Sequence, residues 1–222
     1  LKACPFVVVS DVVRHTDTVR HADVLLPAAA WGEKDGTVTN SERRISRQRA
    51  FIDHPGEVRS DWWIISQIAA RMGYEKDFSY ASAAEIFREH AALSAAGNNG
   101  SRDFNIGSLA GVSDRSYEEL KPVQWPLPAG VSTCKRPGPM FADGRFYTDD
   151  GRARFVETRF RQPEAPAGDD FPFVLNTGRV RDHWHTMTRT ARSPRLSAHI
   201  AEPFCEIHPE DATLLGIGPA EL

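Results

Sequence analysis

The chain has 222 residues, 41% hydrophobic and 26% charged, with a net charge of -3. At about 150 residues per domain that is roughly one and a half domains, enough to bury a core. This composition excludes global disorder, a collagen-like fibre and a disulfide miniprotein. It holds no run near the roughly 18–20 apolar residues of a membrane span, and no overall positive field for nucleic acid or acidic lipid.

The first element in chain order is Phe6–Val9, a continuous β-branched run expected as a strand buried in a parallel sheet, with Ser10-Asp11 at its carboxyl end. Thr16 and Asp17 are placed to cap a short helix through His21. Ala22–Leu26 predicts a second strand stopped by Pro27, which completes a β–α–β pattern. Trp31–Gly36 is expected as loop, and Thr37–Arg49 as a polar hairpin turning near Asn40-Ser41. Ser60 or Asp61 opens a helix with Ile65, Ile68, Ala69 and Met72 on its apolar face and Gly73 beyond its end. The capping box Ser82-x-x-Glu85 starts another, with Ile86, Phe87 and Leu93 inward.

Residues 97–101 are expected as a flexible break, and the five Pro and two Gly of 121–139 as a linker or surface arm. Arg145–Thr148 and Ala153–Glu157 carry the clearest hairpin signal, joined through Asp149-Asp150-Gly151-Arg152. Strands are then expected at Phe171–Asn176 and Pro203–Ile207, with a helix started by Pro209. The amino-terminal part reads as α/β and the carboxyl-terminal part as mainly β with short helices. A strand without a lead-in and a final turn that leads nowhere predict a piece of a longer polypeptide.

Cys4, Cys134 and Cys205 are widely spaced, in no C-x-x-C pair, and assemble neither a zinc nor an iron–sulfur site. Arginine outnumbers lysine 22 to 5. That suits forked contacts with phosphates, although genome composition produces the same bias. The densest constellation runs from Asn176 to Thr190. Extended to Arg195, it holds five Arg, two His, four Thr and one Ser against Asp182 alone. Gly178 lets backbone N–H groups approach a ligand, and guanidiniums supply charge with directional donors. This reads as an anion site suited to a phosphate or pyrophosphate, with Trp184 available to stack on a flat heterocycle. A solvated basic loop with an anchored Trp is the alternative. Asp11, after a strand, suits a ribose or purine edge but is equally an ordinary turn residue. Asp61 doubles as a helix-start residue, and Lys34 as a solvated loop charge. His183 and His185 have no third ligand nearby, so they are not read as a metal site. No nucleophile elbow, Walker loop, H-E-x-x-H or paired-carboxylate spacing is present. On its residues alone the chain reads as binding a phosphate-bearing, nucleotide-like ligand, with no catalytic group.

Five blocks carry a resemblance. They are Ser10-Asp11, Ala22–Pro27, Trp31–Gly36 with Asn40–Arg44, Gly56–Trp62 and Thr177–Thr186. In this order they resemble the carboxyl-terminal half of the molybdopterin oxidoreductases, most loosely between 97 and 170. Within that family, Trp184–Thr190 and Glu202–Pro209 are most similar to the bacterial assimilatory nitrate reductase type. The resemblance implies a molybdenum bis(molybdopterin guanine dinucleotide) cofactor. Its contacts would be Ser10, Asp11, Lys34, Asp61, Thr177, Gly178, Arg179, Val180, Arg181, Asp182, His183, Trp184, His185 and Thr186, with no catalytic or metal-ligating residue in this chain. It further implies reduction of nitrate to nitrite by oxygen-atom transfer, a 4Fe-4S cluster in a part of the enzyme outside these residues, an electron-donor protein, and a cytoplasmic location without membrane or nucleic-acid partners. The fold implied is the end of a Rossmann-like α/β lobe over 1–96, an extended connector with a β-hairpin over 97–165, and the start of a double-psi-type β-barrel over 166–222. A formate dehydrogenase, another enzyme with the same cofactor, and a non-catalytic nucleotide- or anion-binding module are the competing readings. A nucleic-acid binder acting through Arg179–Arg195 is the third class.

Overall fold

A computed structural model describes residues 1–132, 138–187 and 189–218, without the side chain of Thr186. Cys134 therefore lies outside the described residues. The chain divides into two units, Leu1–Val156 and Glu157–Leu222.

In the first unit, β1 (Val8–Asp11) pairs in parallel with β2 (Val24–Pro27), Val8 opposite Val24 and Asp11 opposite Pro27. Thr16 Oγ1 accepts from Val19 N at 3.1 Å and starts the expected short turn of helix, a 3-10 turn over Val19–His21. Asp23 locks the second strand to the first, because its carboxylate accepts from Val7 N at 2.7 Å. Both strands start two residues later than expected, so that Ser10, Asp11 and Pro27 are strand residues, and they are not buried on both faces: Val8 is 47% exposed. Among the described residues this sheet has two strands only, so neither face is covered as in a full parallel sheet.

The polar hairpin forms as β3 (Gly36–Thr39) and β4 (Arg44–Gln48). Asn40 Oδ1 accepts from the N–H groups of Glu42 and Arg44, both at 3.0 Å, and Arg43 takes a positive φ of 64°. A short β5 (Val123–Gln124) adds antiparallel to β4. That overturns the expectation of a surface arm beginning at 121. Val123 and Leu127 are buried, and prolines on either side are compatible with an edge strand.

Helix α1 (Asp61–Arg71) follows Ser60, and Gly73 beyond it has φ 91°. Its buried positions are Ser66 and Ala69, while Ile65, Ile68 and Met72 are exposed. Of the expected apolar stripe only Ala69 is buried. Helix α2 (Ala83–Ala95) has the predicted Ser82 cap, Glu85 N donating to Ser82 Oγ, but not the full capping box, because the Glu85 carboxylate accepts from Ala81 N, one residue before the cap. It buries Ala84, Phe87, Ala91 and Ser94, spaced on one helical face, and leaves Leu93 exposed. Residues 97–101 are no loose break. Asn98 Nδ2 donates to the carbonyls of Ser94, Arg102 and Phe104, which pins the exit of α2.

The core lies where α2, β4 and β5 meet residues 104–127. Ile45, Phe87, Ile106, Leu109, Tyr117 of α3 (Asp114–Glu118), Val123 and Leu127 interlock there. Gly107 approaches α2 so closely that an added Cβ would sit 2.7 Å from the Ala95 Cβ and 3.1 Å from Asn105 Oδ1. Neither atom ends a flexible chain. Gly107→Ala is therefore expected to lower stability by about 1–3 kcal/mol, read from urea unfolding. A variant within about 0.5 kcal/mol of the parent would mean that the packing is looser than described.

The 145–157 segment makes its turn, Phe146 N donating to Gly151 O at 3.0 Å with Gly151 at φ 68°, but no ladder follows. Phe155 and Val156 are 98% and 84% exposed. Without a surface to lie on, the two arms gain nothing by pairing.

The second unit contains a 3-10 turn at His185–Met187, α4 (Pro194–Ser197) and α5 (Pro209–Leu215), which ends on Gly216 at φ 67°. The helix from Pro209 matches expectation. The strands read at Phe171–Asn176 and Pro203–Ile207 do not form among the described residues, and Val174 and Leu175 are 79% and 89% exposed. Their residue types favour strands, yet a strand needs a neighbour for its backbone hydrogen bonds.

Candidate functional site

A parallel bridge between Ala28 and Arg59 extends the end of β2, with Ala29 N donating to Arg59 O at 2.9 Å and Arg59 N to Pro27 O at 3.1 Å. This bridge delivers the first residue of α1 to the carboxyl end of β1. There Ser10 Oγ donates to Asp61 Oδ1 at 3.2 Å, and Lys34 Nζ lies 3.0 Å from Asp61 Oδ2. Three residues from distant parts of the sequence thus converge, at the strand end where open α/β sheets bind ligands. Asp11 also closes a turn: its Oδ1 accepts from Val13 N at 3.0 Å.

Lys34 sits on a braced loop. Glu33 Oε2 accepts from Ala30 N, His54 Nε2 meets Glu33 O, Gln48 Nε2 donates to Trp31 O, and Phe51 N and Ile52 N donate to Gly32 O. Next to Lys34, the carboxylate of Asp35 is held by Arg47, whose side chain is 1% exposed. The Arg47 guanidinium also donates to Gln48 O at 2.9 Å and to Glu118 Oε2 at 2.7 Å, and lies 4.1 Å from the centre of the Tyr117 ring. None of these braces is visible as a motif; in β4 Arg47 shares the face of the buried Ile45, and nothing in its sequence neighbours marks it.

Burial pushes the Tyr117 phenol above its ordinary range, against the pull of Arg47. The hydrogen bond from Arg49, then that from Arg47, holds the Glu118 carboxyl below its usual 4.5. A carboxyl depressed in the folded state contributes stability that is complete above the unfolded value and is lost as pH falls through the folded one. Glu118→Gln is accordingly expected to lower the melting temperature at neutral pH, with the gap to the parent closing below pH 4.5. A gap that persists unchanged into acid would assign Glu118 no role as a charge.

In the second unit, Thr177, Gly178 and Arg179 are exposed and Val180 is half-buried. His183 is buried; its N–H donates to Val180 O at 3.2 Å, and its Nδ1 lies 2.9 Å from Thr190 Oγ1. Thr190 Oγ1 also accepts from Trp184 N at 3.2 Å, which closes the turn. The Trp184 ring is 45% exposed, 4.8 Å from the His185 ring, with the Arg189 guanidinium 5.5 Å from its centre. Asp182 Oδ1 accepts from Arg181 Nε at 3.2 Å, and its buried Oδ2 lies beside His199 Nδ1 without a hydrogen bond among the described residues. His199 escaped the sequence reading because seventeen residues separate it from Asp182. The Thr186 side chain lies outside the described residues. Among those residues no group of three or more His, Cys, Asp or Glu can hold a metal, and no helix is long and apolar enough to cross a membrane.

Residues 1–71 match the family model "Molybdopterin oxidoreductase", and residues 173–222 match "Molydopterin dinucleotide binding domain". The chain is 47% identical over 212 residues to a nitrate reductase of Klebsiella oxytoca, an alignment of 96% of this chain and 24% of that protein. It is 37% identical over 220 residues to the F420-dependent formate dehydrogenase 1 subunit alpha of Methanococcus maripaludis, 98% of this chain and 30% of that protein. In fold it is similar to acetylene hydratase from Pelobacter acetylenicus, with a TM-score of 0.62 at 18% identity over 98% of this chain and 29% of that one. The chain therefore spans about a quarter of the length of the curated relatives it matches. A mixed α/β fold with these two matched segments defines an oxidoreductase class. The chain belongs to the molybdopterin oxidoreductases.

Proposed function

We propose that this chain is the cofactor-holding segment of a molybdenum enzyme that reduces nitrate to nitrite. The observation that carries the reading is the pair of family matches at 1–71 and 173–222, each covering one candidate donor set, joined by 47% identity to a nitrate reductase. The donor chemistry fits a guanine dinucleotide with phosphate arms. Ser10 and Lys34 supply hydroxyl and ammonium donors beside the Asp61 carboxylate, an acceptor for the N–H edge of guanine. Arg179 and Arg181 expose guanidiniums for phosphate, and Trp184 presents a half-exposed ring. Thr177, Gly178, Val180, Asp182, His183, His185 and Thr186 complete the second set, with Asp11 beside the first.

When bound, bis(molybdopterin guanine dinucleotide) supplies the molybdenum at which an oxygen atom is transferred. The share of these residues is to anchor the dinucleotide arms and to fix their charge environment. The iron–sulfur cluster, the electron-donor protein and the cytoplasmic location belong to the proposal as expectations for the whole enzyme. The same holds for the division at 96 and 165 and for a double-psi-type barrel beginning in 166–222.

The formate dehydrogenase reading is supported by the 37% identity over nearly the whole chain. The test is the full-length enzyme purified with its metal. Nitrate-dependent oxidation of reduced viologen, together with molybdenum and GMP near two nucleotides per metal, is expected. Formate-dependent dye reduction without nitrate turnover selects the alternative, and a preparation free of both molybdenum and GMP removes the molybdenum reading.

A further inference from the structure

We propose that Asp35 is a positioning residue: paired with the buried Arg47, it fixes the backbone from which Lys34 reaches toward Asp61 and the dinucleotide. The inference rests on the reading of Lys34 as a cofactor contact, and Asp35 is not itself among the contacts proposed above.

The backbone sends the two neighbouring side chains apart. Lys34 leaves the 3-10 turn over Trp31–Glu33 with φ -98° and ψ 138°, an extended conformation, and β3 begins at Gly36. Consecutive side chains on extended backbone point to opposite sides. Lys34 accordingly turns to Asp61, its Nζ 3.0 Å from Oδ2, while Asp35 turns to Arg47. Ahead of Lys34 the loop is held by hydrogen bonds at Ala30, Trp31, Gly32 and Glu33. Beyond Lys34 it is held by the pairing of Gly36 with Gln48 and by the Asp35–Arg47 pair. Lys34 lies between these two sets of braces, with a side chain 36% exposed.

Arg47 gives Asp35 a rigid partner. Its Nη1 donates to Asp35 Oδ1 and its Nη2 to Asp35 Oδ2 at 3.3 Å, a forked contact. Nη1 also donates to Gly36 O at 2.6 Å, and Nη2 to Glu118 Oε2 at 2.7 Å. The buried Nε has no hydrogen-bond partner among the described residues, so the guanidinium is fixed through its terminal nitrogens and the Tyr117 ring face. The Asp35 carboxylate is 51% exposed, a setting in which an ion pair adds little stability. Its loss leaves Arg47 the Glu118 carboxylate, two carbonyls and the ring. The consequence falls on the freedom of Lys34 more than on the core.

Charge alone predicts the opposite effect. Asp35 is a carboxylate beside a cation offered to an anionic ligand, so if only the field mattered, removing it would strengthen binding. A positioning role predicts weaker binding. The sign of the change separates the two.

The test uses cofactor-free full-length enzyme and the variants Asp35→Ala, Asp35→Asn and Glu118→Gln. GMP is titrated by calorimetry, and acetylation of Lys34 by an N-hydroxysuccinimide ester is followed by mass spectrometry. Asp35→Ala is expected to weaken GMP binding about fivefold, the scale of leaving one long side chain to be ordered on binding. The rate of Lys34 acetylation is expected to rise about threefold, as release from a half-exposed ion pair allows. Asp35→Asn keeps one acceptor for Arg47 and is expected to change both in the same direction by less. Glu118→Gln removes the other carboxylate partner of Arg47 and is expected to change neither. Unchanged or tighter GMP binding in Asp35→Ala overturns the proposal. So does an equal loss of GMP affinity in Glu118→Gln, which would mark a general loosening around Arg47. If the wild type binds no GMP and carries no molybdenum, the cofactor reading falls and acetylation decides: a faster reaction in Asp35→Ala keeps Asp35 as the residue that positions Lys34, and an unchanged one removes it. Should Asp35→Ala fail to fold, Asp35→Asn decides.

Discussion

Arg47→Ala is expected to lower the stability of the chain by about 3 kcal/mol, the lower end for removing one partner of a buried ion pair. For a chain of this size that is a fall of about 6–12 °C in melting temperature. The reason is the number of groups that depend on one guanidinium. Arg47 ties Asp35 and Gly36 of the Lys34 loop to Glu118 of α3 and stacks on Tyr117 in the core. With a 1% exposed side chain, its removal leaves a cavity and two backbone carbonyls short of a donor. The carboxylates themselves are 51% and 56% exposed and can return to water, which holds the loss below the upper end of that range. Arg47→Lys is expected to recover less than half, since one ammonium cannot span two carboxylates, two carbonyls and a ring face. Thermal unfolding by circular dichroism checks both. A melting temperature within about 2 °C of the parent for Arg47→Ala would show that the hub carries no net energy.

Asp61→Asn in the full-length enzyme is expected to behave in the opposite way, costing little stability and much cofactor. The Lys34–Asp61 pair is 36% and 49% exposed, a setting in which ion pairs contribute about 0–1 kcal/mol. Its proposed value lies in binding. A carboxylate accepting two N–H groups of a guanine edge is worth about 1.5–3 kcal/mol per charged hydrogen bond, so GMP and molybdenum content should fall at least tenfold while the melting temperature of the cofactor-free chain moves by less than about 3 °C. Asn keeps the shape and one acceptor but presents an amide donor where a second acceptor is required. Metal and GMP content equal to wild type would remove Asp61 from the proposed contacts. Arg47→Ala read beside it separates two causes of cofactor loss, an unfolded loop and a missing acceptor.

Local chemistry made several elements legible in the order of residues. The Thr16 cap, the Asn40 turn, the Ser82 cap and the Pro209 helix start appear as read, and the strand read at Phe6–Val9 forms two residues later. Each is set by hydrogen bonds or dihedral limits within a few residues, which a sequence states directly. The family, too, was legible from five short blocks. Burial was not. Leu93, Ile65, Ile68 and Met72 sit at helical spacing yet face outward, and Phe171–Asn176 has strand composition without a strand.

Sequence alone determined the kind of side chains available for a ligand: an acid at a strand end, a lysine in a polar loop, and a run of arginine, threonine and histidine with a single aspartate. Tertiary structure decided which of them meet. It brought Ser10 and Lys34 onto the Asp61 carboxylate, tied one Asp11 oxygen into a turn, and recruited Arg47 and His199, which no motif marks. The physical reason is range. Caps and turns are closed by neighbours in the chain, whereas the first site is closed by contacts across 27 residues between Lys34 and Asp61 and 51 between Ser10 and Asp61, whose geometry depends on the elements packed between them.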